Sequence, residues 1–123
     1  QDGNKIPAAK TAVADTSFDF RSARSLADSK LDDYFTDLTT TDGEAVSRLE
    51  TSDWAIELRQ SATLSHLVVY LTNEYDAAGG QVSAIALEPA SAAANALNSK
   101  EDLDYIEPGA TFTGNWSVRL AAE

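Results

Sequence analysis

From Thr111 to Leu120 the chain alternates, with Phe112, Trp116, Val118 and Leu120 on one parity and Thr113, Asn115, Ser117 and Arg119 on the other. Successive side chains of an extended backbone point to opposite faces, so this pattern specifies a half-buried β-strand with Trp116 turned into the core. The turn signal Glu107-Pro108-Gly109 precedes it. A chain that closes this way is most simply a sheet protein whose last strand completes or borders a sandwich.

The same reasoning runs along the rest of the chain. Residues 1–10 are polar and punctuated by Gly3 and Pro7, which predicts a flexible arm ahead of one β-sandwich domain over 11–123. Ala12, Ala14, Thr16, Phe18 and Phe20 share a parity, which predicts a first strand over 11–20. Ser25 offers a cap before Ala27, Leu31, Tyr34, Phe35 and Leu38, whose helical spacing predicts one amphipathic helix over 26–38, inserted after that strand. The cluster Thr39-Thr40-Thr41-Asp42-Gly43 stops it, and Glu44 to Leu49 adds one short turn.

From Ser52 the period is two, with Trp54, Ile56 and Leu58 facing the core. Leu64 to Leu71 is apolar on both parities, the mark of a central strand covered on both faces. A turn over Asn73 to Gly80 leads to a strand from Gln81 to Leu87, ended by Pro89, and these three strands are expected to pair as antiparallel neighbours. The run Ala90 to Leu97 reads as a short helix or a covering loop. The expected fold is therefore mainly β, an antiparallel immunoglobulin-like sandwich with one inserted helix.

The 123 residues suffice for one core, and no apolar run is long enough to span a membrane. Nine Lys+Arg against 20 Asp+Glu give a net charge of −11, which repels nucleic acid and anionic membranes and suits solubility, cations or a basic partner. Cysteine is absent, which removes disulfides, thiolate metal sites and a cysteine nucleophile. A start at Gln1, no Met, and abundant Ala, Ser, Thr and Asp fit a secreted bacterial protein after signal-peptide removal.

No motif names a reaction, and the reading is of a protein that is not an enzyme and carries no cofactor. His66, the lone histidine, lies in the most apolar strand and reads as a packed side chain, since no Ser-His-Asp arrangement follows from spacing alone. Of the carboxylates, only Asp102 and Asp104 approach the alternating spacing of a calcium loop, and no complete ligand loop exists. Tyr75 and Tyr105 fall in expected turns and are the aromatic candidates for partner contact. Asn115-Trp116-Ser117 matches a glycosylation acceptor but sits within the closing strand, where the match is chance.

An arm, an alternating segment over 11–20, no large cleft, and a closing strand of the form Pro-Gly-x-x-x-x-Gly-x-Trp-x-Val-x-Leu together resemble fimbrial pilus subunits of the donor-strand type. That resemblance implies an incomplete immunoglobulin-like sandwich finished by a strand of the neighbouring subunit. It makes residues 11–20 the donor, with Ala12, Ala14, Phe18 and Phe20 inserting into the next copy, and 111–121 the strand beside the acceptor groove. It departs from the pattern in its small Ala12 and Ala14, in Ala122 where many such subunits carry an aromatic, and in the helix over 26–38. The functional expectation is a subunit of an extracellular filament that self-associates by strand addition. The alternative is a stand-alone cell-surface binding module using Tyr75, Tyr105 and the acidic loop for a host or surface ligand.

Overall fold

The computed structural model describes residues 6–121, so the first half of the expected arm, and Ala122, lie outside the described residues. The strands are β1 (Asp32–Phe35), β2 (Thr40–Thr41), β3 (Glu44–Glu50), β4 (Ala55–Ser61), β5 (His66–Ala77), β6 (Gly80–Ala90) and β7 (Trp116–Ala121), with one short helix, α1 (Ala96–Ser99). They form two antiparallel sheets, ordered β1-β5-β6 and β2-β3-β4-β7. The protein is mainly β and sandwich-like. Among the described residues no helix is long and apolar enough to cross a membrane.

The core lies where β4 faces β5. Leu58 of one sheet packs with Leu67 and Val69 of the other and with Leu31, and Phe20, Leu26, Phe35, Leu38, Leu71, Ile85 and Leu87 surround them. Register explains the choice of residues: Val69 pairs with Leu87 and Leu71 with Ile85, so alternate positions of β5 and β6 share the inner face. Past the irregularity between Thr72 and Tyr75, the β5–β6 hairpin leaves the sandwich and its residues become exposed.

Several expectations are corrected here. Residues 11–20 form no strand. Their short polar side chains bond their own backbone instead: Thr16 Oγ1 donates to the Val13 carbonyl at 2.6 Å and accepts the Phe18 N–H at 3.1 Å, and Asp19 accepts the Arg21 N–H at 3.2 Å. The helix over 26–38 is absent as well. Ser29 N–H closes a turn on Leu26 O, and residues 32–35 then run as β1, with Phe35 opposite inward Leu67 and Tyr34 opposite Val68. Among the described residues the single helix is the four-residue α1 within the Ala-rich run.

The expected stop signal Asp42-Gly43 is a hairpin turn. Both residues take positive φ (54° and 80°), which suits the two-residue connection between Thr41 and Glu44, and it launches a full strand, β3, where one helical turn was expected. Nor do β4 and β5 pair. Gln60, 1% exposed, donates from Nε2 to the carbonyls of Leu64 and His66 at 2.5 and 2.9 Å, fixing a crossover from one sheet to the other. Pro89 does not end its strand; β6 is an edge strand, where proline is tolerated, and it continues to Ala90.

The outer face of the four-stranded sheet carries a row of cross-strand ion pairs. Arg48 pairs opposite Glu57, and Glu57 opposite Arg119. Glu57 accepts Arg119 Nη2 at 2.7 Å and Arg48 Nη1 at 3.2 Å, with Arg59 Nη2 at 3.6 Å. The Arg119 hydrogen bond, with help from Arg48 and Arg59, holds the Glu57 carboxyl below its ordinary value of 4.5. A lowered native value means that the contribution is complete above the unfolded value and is lost as pH falls through the native one. Glu57→Gln should therefore lower the thermal midpoint at neutral pH and flatten its acid dependence below about pH 4.5. Melts of the two proteins across pH 2 to 7 check this.

Candidate functional site

Two features stand out from the fold: an uncovered apolar row on β7, and a cleft around His66. Trp116, Val118 and Leu120 pair with Gln60, Leu58 and Ile56, so they lie on the inward face, as alternation requires. Yet they are 63%, 55% and 72% exposed, and the expectation that Trp116 is a core residue is overturned. Parity decides the face of a sheet but not whether anything covers it. The second sheet has three strands and covers β4, while β7 stands at the edge of a four-stranded sheet with an unpaired side.

The approach to β7 is held in place. Asn115 N–H donates to Ser61 Oγ at 3.1 Å, its carbonyl accepts the Ser61 N–H at 2.9 Å, and Thr63 Oγ1 donates to Thr113 O at 2.9 Å. A Cβ on Gly114 would sit 2.7 Å from Leu64 Cδ2, so a larger residue here would have to push the Leu64 side chain aside.

Of the residues expected to meet a partner, Ala12, Ala14 and Phe18 are exposed. Phe20 is not free in the same sense: it packs edge-on against Phe35 at 6.3 Å between ring centroids, under the Arg24 guanidinium at 5.3 Å. Tyr75, 58% exposed, lies on the protruding β5–β6 hairpin opposite Val82, on a strand where a turn was expected. Tyr105, 71% exposed, stands beside exposed Ile106 in the loop before β7. Tyr75 and Tyr105 thus lie on separate elements, the β5–β6 hairpin and the loop before β7.

The cleft, about 630 Å³, is lined among others by Lys10, Asp37, Ser65, His66, Asp102 and Asp104. His66 is 2% exposed. Its Nδ1 lies 3.0 Å from Ser65 Oγ, and its Nε2 lies 3.4 Å from Asp102 Oδ2 without hydrogen-bond geometry, leaving Nε2 buried and without a partner. Lys10 Nζ donates to the same Asp102 oxygen at 2.8 Å and approaches Glu101 at 3.7 Å. The Lys10 bond in the first place, and His66 after it, hold the Asp102 carboxyl below its ordinary range.

Sequence reasoning missed this cluster, because Lys10 and Asp102 lie 92 positions apart and no local signal links them. Ser65, His66 and Asp102 do come together, Ser65 and His66 as chain neighbours. The pair Asp102 and Asp104 lines the cleft without forming a calcium loop. Among the described residues no group of three or more His, Asp or Glu is placed to hold a metal ion. No protein-family model matches the chain, and neither curated proteins nor solved structures show a significant match to it.

Proposed function

We propose that the chain is a structural subunit of an extracellular bacterial filament, in which an incomplete immunoglobulin-like sandwich gains a strand from the next copy along β7. The observation that carries this reading is the row Trp116, Val118 and Leu120, exposed on the inward face of a strand with a free edge. Such an edge presents unpaired N–H and C=O groups beside apolar surface, which is what an added strand consumes.

Residues 11–20 of a second copy are the occupant. The outer row already alternates in charge from Arg48 to Glu57 to Arg119, so the next strand should offer an acid there. Antiparallel pairing with Asp15 opposite Arg119 meets that need. It also sets Ala14 beside Leu120, Thr16 beside Val118 and Phe18 beside Trp116, with Ala12 just past the end of β7. Phe20 stays in its own core, marking where the donor leaves its subunit. Asp15 holds φ at 61°, a left-handed conformation that an extended strand would relieve.

The test is a titration of the full chain with a synthetic peptide of residues 11–20, followed by amide shifts, with electron microscopy of the unmodified chain. Shifts centred on Trp116 to Ala121, with filaments on the grid, are the expected result. Shifts confined to Tyr75 or Tyr105, or none at all, would replace assembly by the recognition-module reading.

A further inference from the structure

We infer that the ion pair between Lys10 and Asp102 is an autoinhibitory clasp: it stores the donor segment 11–20 on its own subunit, and a junction between copies forms only when it opens. This rests on the donor role proposed above and concerns its regulation.

Both ends of the segment are tied down in the single chain. Lys10 Nζ donates to Asp102 Oδ2 at 2.8 Å, across 92 positions of sequence, and lies 3.7 Å from Glu101. At the other end Phe20 packs edge-on against Phe35. Between them Arg24 Nη1 donates to the Ser17 carbonyl at 3.1 Å, and Thr16 closes a turn on Val13. The two ties stand on neighbouring ground, because Asp37 lines the same cleft as Lys10 and Asp102 and is two residues from Phe35, a span of at most about 7 Å. The segment is therefore folded back on its own subunit.

Laid along the β7 of a neighbour, the same segment is extended. Ten residue steps at about 3.3 Å then carry Lys10 roughly 33 Å from Phe20, away from its own cleft. Clasp and junction exclude each other. Among the described residues lining the cleft Lys10 is the only lysine or arginine, set with Asp37, Asp102 and Asp104. The Asp102 hydrogen bond, with Glu101 and Asp37 nearby, raises the Lys10 ammonium above its ordinary value of 10.5, so it is charged throughout the neutral range. Lys10 and Asp102 are both partly exposed, which keeps the pair weak, reversible and sensitive to salt. Junction affinity is scaled by the fraction of subunits whose clasp is open.

Light scattering gives the critical concentration for filament growth of the full chain, of Lys10→Gln and of Asp102→Asn. Both variants should assemble at a concentration about threefold lower in dilute salt, and the gap should close in about 1 M sodium chloride. A synthetic peptide of residues 11–20 should bind all three with the same affinity, since it carries no clasp and β7 is exposed. Lys10 is at an exposed position, so Lys10→Gln carries the test if Asp102→Asn unfolds. An unchanged critical concentration in Lys10→Gln, with the peptide still bound, overturns the clasp and leaves the donor role standing. A gap that persists in about 1 M salt also overturns it, because a screened ion pair cannot be the cause. Neither peptide binding nor filaments in any of the three would overturn the donor role, and the clasp with it.

Discussion

If strands add at β7 as proposed, Val118→Asp should weaken self-association about fivefold while leaving the chain folded. Val118 is 55% exposed, at the middle of the apolar row, and lies opposite Leu58 across the ladder. In the isolated subunit a carboxylate there stays in water and costs little. An added strand flanks Val118 at the sheet edge without covering its face, so the carboxylate there loses an apolar cross-strand neighbour and part of its hydration, a cost on the order of 1 kcal/mol that weakens each junction about fivefold. Asp15→Lys is a finer probe of register, since it sets like charges against Arg119 and should weaken assembly by several-fold. Asp15→Lys combined with Arg119→Glu should restore much of it. Sedimentation velocity and electron microscopy measure both effects. Filaments from Val118→Asp as long and as abundant as those of the unmodified chain would remove β7 from the interface.

The elements that the sequence displayed well were those whose partners lie close by or whose pattern is strict. Gln81 to Leu87, Leu64 to Leu71 and the alternation ending at Leu120 all lie within strands or overlap them. What failed had a physical cause in each case. Leu31, Tyr34, Phe35 and Leu38 satisfy a helical spacing, yet Tyr34 and Phe35 belong to the four-residue β1, paired with Val68 and Leu67 of β5, and Leu31 and Leu38 flank it. Tertiary pairing outweighed local period. Over 11–20 the alternation was real, but Thr16 and Asp19 spend their oxygens on nearby backbone, and the segment curls into turns.

The candidate site divides in the same way. The row on β7 was legible as a parity and misread as core, because exposure depends on how many strands the opposite sheet has, which no stretch of β7 encodes. The cleft was not legible at all. His66 was visible as a lone histidine, but its neighbours Lys10 and Asp102 come from distant loops, joined only by the fold.

Leu58→Ala and Trp116→Ala should differ sharply in the unassembled subunit, although Leu58 and Trp116 lie on the same inward face. Leu58 is 3% exposed and touches the opposite sheet through Leu67 and Val69, so truncation leaves a cavity in the only cluster of buried residues that joins the two sheets among those described. A loss of about 2–5 kcal/mol follows, a large part of the roughly 5–15 kcal/mol that holds a domain of this kind. Trp116, at 63% exposure, has no such cover, and its truncation should cost less than about 1 kcal/mol. Its effect should instead appear in association, where Phe18 of the incoming strand would lie beside it. Denaturant unfolding at concentrations below assembly gives both values. Equal losses for the two variants would mean that the chain covers its own β7, and with that the case for an added strand would fall.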